Sequence, residues 1–113
     1  MMDQFVSVDA LLNQEAETRE HAVEGVGKVL IKGLTREEAH QISETKGTKE
    51  REIKIVSWGL VQPQMNYQQV QAWFKQPGTA GQIQNLVLAI NRLSGLTEDM
   101  EERVVERFRE ESE

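Results

Sequence analysis

The side chains of this chain that could transfer protons, attack a carbonyl or ligate a metal are His21 and His40, five serines and several paired carboxylates. The two histidines stand nineteen residues apart, with no His-x3-His or His-Glu-x2-His spacing that would aim two nitrogens at one ion. No metal site is expected from them. Gly25-Val26-Gly27-Lys28 has two glycines and a lysine but lacks the Gly-x4-Gly-Lys-Ser/Thr spacing whose amides wrap a phosphate, so it reads as a hairpin turn. Ser7, Ser43, Ser57, Ser94 and Ser112 have no Gly-x-Ser-x-Gly turn around them. Glu37-Glu38, Glu101-Glu102 and Glu110-Glu111 are adjacent pairs, which a helix points in different directions and not at one substrate atom. Trp58 and Trp73 could stack on a ligand, but among Ile55, Val70 and Phe74 at helical spacing they read as core. The residues point to no enzyme, no cofactor and no small-molecule substrate.

Elements built from this sequence therefore have to position surfaces for binding. The chain has 113 residues, enough for one domain with a single core, and a formal charge of −6. That charge is uneven: from Glu98 to Glu113 stand eight acidic and three basic residues, so the C-terminal stretch carries −5. The balance argues against general nucleic-acid binding. With no cysteine there is no disulfide framework and no thiolate site. Met1-Met2-Asp3-Gln4-Phe5 lacks the pattern of a signal peptide and no apolar run approaches the ~20 residues of a membrane span, so the expected location is the cytoplasm.

Phe5, Val8, Leu11 and Leu12 form a short amphipathic pattern that Asp9 would cap or interrupt. A polar stretch follows to Glu20, read as linker or solvated helix end. Between His21 and Leu34 the period changes to two, which predicts a strand or strand pair turning at Gly25 and Gly27; a lone hairpin is marginal and must lie on helices or join another chain's sheet. Thr35-Arg36-Glu37-Glu38 is a capping box that starts a helix ending near Lys46-Gly47. Lys49 to Val61 predicts the most buried helix, apolar nearly all round and stopped by Pro63. Asn66 caps a helix bearing Tyr67, Val70, Trp73 and Phe74. A further helix, with Thr79–Gln82 as its capping box, carries Ile83, Leu86, Val87, Ile90 and Leu93 to a stop at Ser94-Gly95, with Leu96 as the accompanying apolar contact. Thr97 caps a last, acidic helix with the stripe Met100, Val104, Val105 and Phe108.

The expected fold is mainly α: a compact helical domain of about four to five helices with a small β-hairpin near the N-terminus. Residues 1–20 read as an arm or short helix, 21–96 as the helical core domain with the hairpin, and 97–113 as the acidic C-terminal helix. Both terminal stripes, Phe5, Val8, Leu11 and Leu12 at one end and Met100, Val104, Val105 and Phe108 at the other, are candidate partner-binding residues. Each stripe can fold back on its own domain, zip with a copy of itself or lie in a partner's groove.

Taken in order, Asp9-Ala10-Leu11-Leu12, Gly27-Lys28-Val29-Leu30-Ile31-Lys32-Gly33-Leu34-Thr35 running into a capped helix, Ile55-Val56-Ser57-Trp58-Gly59-Leu60-Val61-Gln62-Pro63 and Ile83–Leu96 ending in Leu93-Ser94-Gly95-Leu96 resemble the tail assembly chaperones of long-tailed bacteriophages. The resemblance covers roughly residues 9–96. It implies a small, helical, non-catalytic protein of the infected host's cytoplasm, absent from the finished virion, that binds the tape measure protein and helps tail tube protein polymerise around it. Gln62–Gln76 and the stretch after Thr97 have no counterpart in the motifs. Two other classes compete: a permanent structural component such as a tail or head–tail connector protein, using the hairpin for sheet augmentation, and a small helical DNA-binding regulator, for which the helix before Gly95 offers only Arg92.

Overall fold

The computed structural model describes residues 5–96. In chain order these form α1 (Val8–Leu12), β1 (Thr18–Val23), β2 (Gly27–Lys32), α2 (Arg36–Glu44), α3 (Thr48–Gly59), β3 (Leu60–Gln62), α4 (Tyr67–Phe74) and α5 (Thr79–Leu93). The strands make one antiparallel sheet in the order β1-β2-β3. The mainly α expectation with only a small hairpin is thereby corrected: the body is a mixed α and β fold in which helices pack on a three-stranded sheet.

The correction lies at Leu60-Val61-Gln62. Their apolar run reads as the end of a buried helix, yet α3 stops at Gly59, four residues before Pro63, and the chain becomes extended at Leu60 (φ −79°, ψ 125°). Leu60 then pairs with Ile31 and Gln62 with Leu30 across an irregularity in the β2 ladder. At Gly59 itself an added Cβ would lie 2.5 Å from Ile90 Cδ1, so the missing side chain lets α5 seat against α3. β1 also begins earlier than period two reveals. Thr18, Arg19 and Glu20 belong to it, and all three are exposed, so no alternation marks them.

The β1–β2 register sets Arg19, His21 and Val23 in line with Ile31, Val29 and Gly27 on one face, and Thr18, Glu20 and Ala22 with Lys32, Leu30 and Lys28 on the other. Val23 and Ile31 are buried, so the first face meets the helices. On the second, Lys28 and Glu20 form an exposed ion pair at 3.5 Å. Glu24 and Gly25 make the turn, closed by the Val26 N–H donating to the Val23 carbonyl, and Gly25 at φ +82° supplies the positive φ such a turn needs at its third position.

Ile31, Ile53, Ile55, Val56, Leu60, Val70, Ile83, Leu86 and Ile90 form the core, with Val29, Leu34, Ile42, Met65, Trp73, Phe74, Val87 and Leu93 packed around it. Each buried aliphatic side chain of this kind contributes about 1.5–3 kcal/mol. Trp73, expected in the core, is half-buried and packs against it. Trp58 is half-buried and lines a surface cleft.

Two capping boxes hold helix starts. Thr35 Oγ1 accepts from the Glu38 N–H at 3.0 Å while the Glu38 carboxylate accepts from the Thr35 N–H at 2.9 Å. Asn66 and Gln69 do the same for α4, at 2.8 and 3.0 Å. Asn66→Ala is expected to lower stability by about 1 kcal/mol, read by urea unfolding. The capping box expected at Thr79 does not form. Gly78, with φ +77°, is the N-cap, and the Thr79 hydroxyl turns back to donate to the Gln76 carbonyl at 2.9 Å.

The C-terminus of α5 ends as the sequence indicates. Gly95 N–H donates to the Arg92 carbonyl and Leu96 N–H to the Asn91 carbonyl, the paired bonds of a Schellman motif, with Gly95 at φ +77°. Ser94 ties this end to the sheet: its hydroxyl donates to the Ile90 carbonyl and accepts from the Leu34 N–H, both at 2.7 Å. Gly33 lies directly on the Leu93 carbonyl, where a Cβ would stand 2.6 Å from the oxygen. Gly33-Leu34 and Leu93-Ser94, sixty residues apart, are one joint.

Candidate interaction surface

The N-terminal arm is held in a helical turn by its own polar atoms. Ser7 is the N-cap, its Oγ accepting from the Ala10 N–H at 3.1 Å, and Asn13 closes the other end by donating from its side chain to the Asp9 carbonyl at 2.9 Å. Asp9 sits in the first turn and neither caps nor interrupts it. Val8, Leu11 and Leu12 then share a side at i, i+3 and i+4, with Phe5 in the non-helical residues just ahead of α1. None of the α1 residues is buried. Phe5 is 86% exposed, Val8 70%, Leu11 60% and Leu12 76%, joined by Val6 at 69%. Val6 escapes a reading based on helical period because it falls off the Phe5, Val8, Leu12 spacing. Five large apolar side chains in eight residues thus face water, the kind of concentration that marks interaction sites. Residues 13–17, all exposed, connect it to β1.

The matching C-terminal candidates Met100, Val104, Val105 and Phe108, with the expected helix 97–113, lie outside the described residues.

A cleft of about 510 Å³ opens where β3 and α4 meet α3, lined by Trp58, Leu60 and Met65 with Lys32, Glu38 and Gln69 at its rim. The Glu38 and Gln69 side chains are already spent on the capping boxes. A second cleft of about 300 Å³ lies between the hairpin and the start of α5, where Gln82 donates to the Glu24 carbonyl at 2.8 Å beside His21 and Gly78. The chemically capable side chains do not converge. His40 Nε2 stands 3.0 Å from Glu44 on the exposed side of α2, whereas His21 is on β1. Ser43 and Ser57 donate within their own helices. Among the described residues there is no group of three His, Asp or Glu placed to hold a metal, and no helix long and apolar enough to cross a membrane.

Burial pushes the Glu52 carboxyl above its ordinary value. A raised folded-state pKa means that the native state binds its proton more tightly than the unfolded chain, so stability falls as pH rises from the unfolded pKa through the folded one. Glu52→Gln is expected to raise Tm slightly at pH 7, on the order of 1 °C because the side chain is only partly removed from water, and to lose that advantage below about pH 4. Thermal melts at the two pH values check it.

Compared with protein-family models, curated proteins and solved structures, the chain matches none of them.

Proposed function

We propose that this protein is an assembly chaperone of long-tailed phage tails, acting in the host cytoplasm, which uses the arm at Phe5, Val6, Val8, Leu11 and Leu12 to hold apolar helical segments of the tape measure protein while tail tube subunits assemble. The exposure of that arm carries the reading. Five solvated apolar side chains are costly to a protein with no use for them, and a helical turn presenting them at i, i+3 and i+4 matches how amphipathic helices engage one another. Support also comes from where the motifs of the resemblance sit. Gly33-Leu34 meets Leu93-Ser94, and Gly59 meets Ile90, as expected of signatures that preserve a scaffold.

Co-expression with the tape measure protein encoded nearby tests the reading. A soluble complex recovered by pull-down is the expected outcome; a tape measure protein that stays insoluble in its presence refutes it.

A second reading, a permanent tail or connector component, draws on the β1 edge, which ends the sheet. Stoichiometric copies in purified virions, measured by mass spectrometry, would select it over the chaperone.

A further inference from the structure

The arm leads, through residues 13–17, into an edge strand whose outer side is joined to no other strand among the described residues. Such an edge presents a row of main-chain donors and acceptors ready to pair with another chain. We propose that β1 pairs antiparallel with β1 of a second copy across a two-fold axis at His21, joining two three-stranded sheets into one of six strands and covering the arms.

Strand length and side chains together select this axis: a two-fold on Thr18 or Val23, the ends of β1, would pair only that one residue of the strand with its copy. Directly opposed residues of an antiparallel pair project to the same face, so an isologous two-fold passes through a residue and not between two. On Arg19 or Glu20 the axis sets that charge against its own copy, and on Glu20 it also sets Arg19 against His21. On Ala22 it opposes Glu20 to Glu24. With the axis on His21, Glu20 falls against Ala22, Arg19 against Val23 and Thr18 against Glu24, so no carboxylate meets a carboxylate and no guanidinium meets a cation.

Five paired residues of β1, 19–23, are marginal by themselves. In this arrangement the hairpin tip of one copy, where Val26 is 76% exposed, comes beside Thr18 of the other, and the five connecting residues reach up to about 17 Å from there. Covering the five exposed apolar side chains of each arm adds the apolar burial that so short an edge pairing lacks. The arm that the chaperone reading gives to the client is then sheltered until the client displaces the partner copy.

The test needs no client, so its result stands apart from that of the chaperone reading. Because the chain has no cysteine, single replacements report contacts cleanly. At the axis the two Cα atoms come about 4.5–5.5 Å apart, within reach of a disulfide. The full chain should be dimeric by light scattering at micromolar concentration. Under mild oxidation His21→Cys should form a covalent dimer, and Glu20→Cys and Val26→Cys at least about fivefold less of it. The exposed Glu20 and Val26 sites guard against a folding defect at half-buried His21. Val8→Ser with Leu12→Ser should weaken the dimer at least about tenfold. A monomer at every concentration, or covalent dimer formed as readily through Glu20→Cys or Val26→Cys, overturns the proposal.

Discussion

Gly33→Ala is expected to lower the stability of the domain by about 3 kcal/mol, a fall in Tm on the order of 10–20 °C, without changing the elements that form. The added methyl would stand 2.6 Å from the Leu93 carbonyl oxygen, 2.8 Å from its carbon and 3.1 Å from the Ser94 nitrogen. All three are main-chain atoms, fixed by the closing bonds of α5, so no rotamer change relieves the overlap. Separating the two segments instead breaks the Leu34 N–H bond to the Ser94 hydroxyl and leaves a part-buried donor unpaired. Gly59→Ala makes the comparison. The atoms nearest its methyl, at 2.5–2.8 Å, all belong to the Ile90 side chain, which gives way more readily than main chain does, so a smaller loss is expected there. Denaturant unfolding of the two variants checks the order; a Gly33→Ala protein as stable as the parent would mean that the joint gives way easily.

That joint also marks how far the sequence could be read. Capping at Thr35 and Asn66, the apolar stripe of α5 and its stop at Ser94-Gly95 were legible because each is decided by residues within a few positions of one another. The contact between Gly33 and Leu93 was not, since nothing local to either glycine or serine says what lies across from it. β3 was hidden for a related reason. Three residues are too few to show a period, and Leu60 and Val61 suit a buried helix as well as a buried strand until the β2 edge is there to pair with. At Thr79 the pattern of a capping box was present, but the left-handed Gly78 had already turned the chain, leaving the hydroxyl free to bond backward.

The arm poses the opposite case, because its residues were identified from spacing while their exposure was open: the same i, i+3, i+4 pattern serves a docked helix and a free one. Its exposure separates the two in a measurable way. Val8→Ser with Leu12→Ser is expected to leave Tm within about 1–2 °C of the parent, measured where the chain is monomeric, since at 70% and 76% exposure neither side chain contributes core burial. The same double change should weaken capture of the tape measure protein by more than about 100-fold, because two aliphatic side chains buried in a complex carry about 3 kcal/mol or more between them. Stability and binding thus part company at this site, whereas Gly33→Ala is expected to act through stability. A large drop in Tm for the arm variant would show that Val8 and Leu12 pack on their own domain. Undiminished capture by a stable variant would take the client off the arm, leaving the Trp58–Met65 cleft as the next surface to test.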